Sequence, residues 1–241
     1  MNRLVLIVLK NIARVPGLYI RLRKLVKNKD QHSEQEIYDH IRRIMTLAVE
    51  SGNIDLQVTG LENLPEENGF LLCGNHQGLF DVMAIVHTFR GPLAAVYKKE
   101  LTGVPFIQDI ADGTNSFPMD REDVRQSLTV IQKVTEELKK GRNYLIFPEG
   151  TRSKNGNVMG PFHAGSFRCA TKAKAPIVPV AFVDCFKVLD QKGSKQVLVQ
   201  MHYLAPIHFA EYKDLKTTEL ADLVKSRIAA VIEAQTGCKQ D

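Results

Sequence analysis

The sequence predicts an α/β fold: a mostly buried mixed sheet of about seven strands, flanked by helices and preceded by an amphipathic helical arm. Three observations carry that expectation. From residue 54 onward, short apolar runs alternate with longer stretches of helical periodicity. Several strand-like runs, FLLCG, LAAVY, NYLIF and IVPVAFV, are apolar at nearly every position, which suits strands covered on both faces. The charge is also divided: residues 1–30 hold eight of the 32 basic residues and one of the 27 acidic ones, Asp30, so the arm carries +7 and the remainder −2. The division is therefore drawn at 1–53 for the arm and 54–241 for the α/β body.

In the arm, the longest apolar run, 4–9, is six residues, far short of the roughly 20 a bilayer span needs. No small-residue cleavage site follows it, so no secretory signal is expected. Wound at about 100° per residue, Arg3, Lys10, Arg14 and Arg21 form one stripe; Leu4, Val5, Val8, Leu9, Ile12 and Val15 cover the opposite side. Pro16 removes an amide donor and threatens a kink or a split. Two placements fit: an interfacial helix on an anionic membrane, or a helix docked on the protein's own core with its basic edge in water. Ser33 with Glu36 has the form of a capping box and opens a helix over 33–51, stopped by Gly52.

Strands are expected at 54–60, 70–74, 93–97, 115–118, 143–147, 177–183 and 196–204. Helices are expected at 81–90, 122–140, 164–174 and 218–235, three of them stopped near Gly91-Pro92, Gly141 and Pro176. No internal repeat or low-complexity linker interrupts the body. Four cysteines lie far apart with no C-x-x-C pair, which points to neither a zinc site nor a disulfide framework and makes a reduced, cytosolic setting the default. A near-neutral body also speaks against a nucleic-acid groove.

Four polar stretches fall at strand ends, where α/β proteins collect their binding groups: NHQGLFD (75–81), KKEL (98–101), MDRED (119–123) and FPEGTRS (147–153). His76 and Asp81 fit a catalytic pair, a metal site lacking a third ligand, or a turn in which Asp81 caps the following helix. Arg152 can grip an anion through two parallel hydrogen bonds; alternatively it pairs with Glu149. Arg121 is a second anion clamp or a solvated residue.

Taken together, the stretches resemble the 1-acylglycerol-3-phosphate acyltransferase family over about 55–205. Its Asn-His-x4-Asp motif is met by Asn75, His76 and Asp81; a Phe-x-x-Arg-like stretch, more loosely, by FPMDR with Arg121. Phe-Pro-Glu-Gly-Thr-Arg-Ser is complete at 147–153, and a Val-Pro-Val-like strand is met by IVPV around Pro179. KKEL and PFHAGSF are similar too, although a frequent lysine is replaced by His163, so a cationic contact there would depend on pH.

The resemblance implies acyl transfer from an acyl thioester, acyl-CoA or acyl-ACP, to the 2-hydroxyl of lysophosphatidate, giving phosphatidate. It implies no metal or organic cofactor. His76 would be the base, oriented by Asp81. Lys98, Arg121 and Arg152 would hold the phosphate, with Glu149 orienting cations or glycerol hydroxyls. Gly150 or the 76–78 turn would supply oxyanion amides, Thr151 would belong to the same binding loop, and Gly78 would leave room for the acceptor hydroxyl. The expected partners are anionic membrane lipids at the cytoplasmic face of a membrane. Two alternatives stay open: another lysophospholipid or lyso-aminolipid acceptor, and a non-catalytic lipid-binding protein.

Overall fold

In the computed structural model, which describes residues 2–240, seven strands form one sheet: β1 (Ile54–Thr59), β2 (Leu71–Gly74), β3 (Leu93–Lys98), β4 (Phe117–Met119), β5 (Asn143–Ile146), β6 (Ile177–Val183) and β7 (Val197–Tyr203). Their order is β1-β7-β6-β2-β5-β3-β4. From β6 to β4 every neighbouring pair is parallel; β7 turns antiparallel to β6 and carries β1 parallel to itself. The sheet is thus mixed, as expected, and its parallel part sends the exits of β2, β3, β4 and β5 to one edge. The four polar stretches share that edge because parallel strands all finish on the same side.

Among the described residues the α-helices are α1 (Arg3–Lys10), α2 (Val15–Lys27), α3 (Glu34–Ser51), α4 (Phe80–Thr88), α5 (Pro105–Thr114), α6 (Val124–Lys139), α7 (Arg168–Ala173), α8 (Phe186–Leu189), α9 (Phe209–Tyr212) and α10 (Thr217–Thr236). Alternation along β6 shows why the strand is apolar throughout. Val178, Val180 and Phe182 join a core with α2, α3, α4 and α8. Ile177, Ala181 and Val183 join another with α6, α7, α9 and α10. Both faces are covered by helices.

Several local expectations change. The capping box is half made: Ser33 Oγ accepts from Glu36 N at 3.1 Å, but the Glu36 carboxylate turns to His32 Nδ1 at 2.9 Å. Residues 164–167 form a 3-10 turn before α7. Helix α5 was not expected, because it opens on a proline and holds a glycine. That glycine has a packing reason: a Cβ on Gly113 would press on Ile37 and Val26 at 3.0 and 3.1 Å, so its absence lets α5 sit against α2 and α3.

The arm splits at residues 11–14, with Pro16 in the first turn of α2, where a missing amide costs nothing. Its docked side is not the one expected. Arg3, at 4% exposure, lies inside, donating from Nε to Gly52 O at 2.9 Å, from Nη1 to Val188 O at 3.1 Å and from Nη2 to Lys195 O. Ile7 and Asn11, one and two turns on, are buried with it, and Asn11 Nδ2 donates to Ser51 Oγ at 2.8 Å. Leu4, Val5, Val8 and Leu9 face outward, and Ile12 and Ile20 are 62% and 68% exposed. Helix α1 therefore docks through a polar edge and presents its apolar face. No described helix is long and apolar enough to cross a membrane.

Candidate active site

Strand β2 is fully buried and delivers Asn75 at its end. With the ladder finished, the Asn75 side chain continues it: Nδ2 donates to Phe182 O at 3.0 Å, and Oδ1 accepts from Phe182 N at 2.8 Å. That bidentate bond to β6 fixes where the chain leaves the sheet. The next residue, His76, stacks on Phe147 with ring centroids 4.0 Å apart and an interplanar angle of 17°. The phenylalanine comes from the exit of β5, the neighbouring strand.

Asp81 stands in the first turn of α4 at 0% exposure. Its Oδ2 accepts from His76 Nδ1 at 2.8 Å, from Gln77 N at 2.6 Å and from Gly78 N at 2.9 Å. The carboxylate thus both closes the 76–78 turn and orients the imidazole, so two of the sequence readings hold at once. Because an ionised carboxylate only accepts, Nδ1 carries the proton and Nε2 is the basic nitrogen. Burial pushes the Asp81 carboxyl above its usual range, and the histidine and the two amides pull back.

Glu149 does not orient cations. It is buried at 4% exposure, with one oxygen accepting from His76 N at 2.7 Å and the other from Gly160 N at 2.8 Å. Burial raises its carboxyl and the two amides oppose. A return bond, Ser153 N to His76 O at 2.7 Å, completes a clasp between the two loops. Gln77 adds another: its Nε2 donates to Asn157 Oδ1 and its Oε1 accepts from Cys185 N, each at 2.8 Å.

The expected cations sit on the rim. Lys98, at the end of β3, pairs with Glu100 at 2.8 Å, and Arg152 pairs with Asp190 at 2.8 Å rather than with Glu149. Arg121 makes no hydrogen bond or ion pair with a described residue; burial lowers the pKa of its guanidinium from the ordinary value, and the charge of Glu100 opposes this. It lies beside Gly150, where a Cβ would meet the Arg121 side chain at 3.6 Å and the His163 ring at 3.3 Å. Gly150 adopts φ +68°, a left-handed turn conformation that favours glycine. Thr151 is exposed on the same loop. The space over Gly78 is taken: a Cβ there would collide with the Asp190 carboxylate.

Sequence reasoning missed Gln77, Asn157, Gly160, Asp184 and Asp190. Asn157 Nδ2 donates to Asp184 Oδ1 at 2.9 Å, so a loop after β5 is tied to the end of β6. Only sheet order brings these groups together, and no local pattern marks them. Burial drives the Cys73 thiol well up, so it is no nucleophile. Among the described residues, no three His, Cys, Asp or Glu side chains converge as metal ligands.

A family model described as acyltransferase matches residues 55–183. The 1-acyl-sn-glycerol-3-phosphate acyltransferase of Borreliella burgdorferi is 24% identical over 80% of this chain and 78% of that protein. The Saccharomyces cerevisiae protein of that name is 27% identical over 84% and 67%. A chloroplastic one from Brassica napus, BAT2, is 30% identical over 71% of this chain and 49% of its own length. Among solved structures, the 1-acyl-sn-glycerophosphate acyltransferase PlsC of Thermotoga maritima shares the fold, with a TM-score of 0.73, 20% identity and 98% of each chain covered.

Proposed function

Because this chain belongs to the acyltransferase family, we propose that it transfers an acyl group from a thioester to the 2-hydroxyl of a 1-acylglycerol-3-phosphate, giving phosphatidate. The observation that carries the reading is the His76–Asp81 bond at 2.8 Å, at a strand exit shared with FPEGTRS. An alcohol is a poor nucleophile until a base takes its proton. His76 Nε2 accepts that proton as the oxygen attacks the thioester carbonyl; the tetrahedral intermediate collapses, and the departing thiolate regains the proton from the imidazolium. A positioned base of this kind is worth about 10²–10⁴-fold. The donor is already activated, so neither a protein nucleophile nor a metal or organic cofactor is needed, and acyl-CoA and acyl-ACP serve the chemistry equally.

Arg121, Arg152 and Lys98 supply the positive rim for the acceptor's phosphate. A membrane interface with anionic headgroups also accounts for an arm that presents Leu9 and Ile12 outward while Arg14, Arg21 and Lys24 stay exposed nearby. Such a surface suits the interface of an anionic membrane, at its cytoplasmic face. The double substitution Leu9→Asp/Ile12→Asp should reduce flotation with anionic vesicles at low salt; unchanged flotation refutes the membrane placement.

The catalytic test offers oleoyl thioester with lysophosphatidate, other lysophospholipids and a lyso-aminolipid, beside His76→Ala. Turnover of lysophosphatidate that drops at least a hundredfold in the variant is expected. Turnover of none of them rejects the reaction, and preference for another acceptor reassigns the substrate.

A further inference from the structure

Helix α10 is ended by Gly237, whose φ of +69° reverses the chain. Residues 238–240 then run back beside the helix and are caught by its last turns. Cys238 N donates to Thr236 Oγ1 at 3.0 Å, and Gln240 N to Glu233 Oε1 at 2.8 Å. That return sets the Gln240 side chain against the loop that follows FPEGTRS. Its Oε1 accepts from Met159 N at 2.9 Å; its Nε2 donates to Asn157 O at 3.0 Å and to Cys238 O at 3.1 Å. Neither Met159 N nor Asn157 O has another hydrogen-bond partner among the described residues. The loop belongs to no strand ladder, so one side-chain amide does for it what Asn75 does at the end of β2. The same loop grips the His76 turn at two points. Asn157 Oδ1 accepts from Gln77 Nε2 at 2.8 Å, and Gln77 N is bonded in turn to Asp81 Oδ2. Gly160 N donates to one Glu149 oxygen at 2.8 Å, while the other accepts from His76 N at 2.7 Å. The two grips bracket the backbone that Gln240 holds.

We propose that Gln240 is a positioning residue for His76: it fixes the 157–160 loop, which holds the 76–78 turn through Gln77 and Glu149. The inference rests on the reading of His76 as the base. Without the Gln240 amide, Met159 N and Asn157 O turn to water. Burial of Met159 and the bond from Ser153 Oγ to Val158 O at 2.6 Å keep the loop in place, but it gains freedom where it meets Gln77 and Glu149. Proton transfer is sensitive to such freedom, since a misplacement of about 1 Å can cost about 10²-fold in rate. Lys98 and Arg121 stand at the exits of β3 and β4, away from this loop's hydrogen bonds, so substrate binding is affected less than turnover.

Gln240→Ala tests this, at a half-buried position outside both apolar cores. Amide hydrogen exchange, read residue by residue by NMR, is compared with wild type. The amides of His76 and Gln77 should exchange about three- to tenfold faster, the order that one net hydrogen bond allows. Those of α3 and β7 should not change. With oleoyl thioester and lysophosphatidate, kcat should fall about tenfold, while KM for either substrate stays within about twofold. Faster exchange at Met159 alone, with kcat retained, overturns the proposal, because the loop then loosens without reaching His76. Faster exchange spread evenly over the fold overturns it as well and makes Gln240 a general support. Exchange needs no substrate, so an absence of turnover would defeat the reaction and leave the exchange result standing.

Discussion

Asp81→Asn isolates the charge of the dyad from its geometry. The asparagine carbonyl can take the Oδ2 place and still accept from His76 Nδ1 and the amides of Gln77 and Gly78. Its amide then occupies the Oδ1 place, which is buried and has no hydrogen-bond partner among the described residues. The tautomer survives; what disappears is a negative charge beside the imidazolium that forms during proton transfer. With the atoms 2.8 Å apart and the charge centres about 4 Å apart, an effective dielectric near 20 gives about 4 kcal/mol. At about 1.4 kcal/mol per tenfold, kcat should fall roughly 10³-fold. The unpaired amide costs stability while removal of a buried charge restores some, so the melting temperature should move little. The assay is turnover of an acyl thioester with saturating lysophosphatidate, run beside His76→Ala and the double variant. Residues that act as a unit are non-additive, so the double variant should be no slower than His76→Ala. A loss below tenfold in Asp81→Asn, or additive losses in the double variant, refutes the oriented-base mechanism.

Three further outcomes follow from the same geometry. Arg3→Leu strands the carbonyls of Gly52, Val188 and Lys195 and should cost about 2–4 kcal/mol in denaturant unfolding; a loss under 0.5 kcal/mol, on the order of a surface change, means α1 is not anchored there. Gly74→Ala sets a methyl 2.7 Å from the Phe182 ring and 3.1 Å from Val180 O, so it should destabilise by about 1–3 kcal/mol, and a neutral result would show that β2 and β6 can part freely. Asp81 and Glu149 both have carboxyls raised above the ordinary 3.8 and 4.5 by burial. Their contribution to stability is thus present below those values and is lost as pH rises through the folded ones. Wild type should therefore lose stability relative to Glu149→Gln as pH climbs from about 4.5. A stability gap that stays constant with pH contradicts the assignment.

The sequence by itself determined the features whose cause is local. Continuous apolar runs marked strands buried on both faces, and Ser33 marked the start of α3. The spacing of His76 and Asp81 allowed their bond, since a single turn and the first turn of a helix can close that distance, but by itself it left a metal site and a plain helix cap open. FPEGTRS marked the second half of the site. Even the convergence of four loops followed from strand ends in an α/β pattern, although the order that makes them neighbours did not.

Only the tertiary structure decided what each rim group touches. Glu149 meets the His76 amide across 73 residues, and Asp190 meets Arg152 across 38. These contacts depend on β2 lying between β5 and β6, and a buried strand reads the same whichever neighbours it has. The arm shows the same limit. Periodicity found its two sides but could not say which one the body would hold, since burying Arg3 is favourable only where three free carbonyls wait for its guanidinium. Hydrophobic pattern records which residues avoid water; the partners of a buried polar group are set by where distant backbone ends.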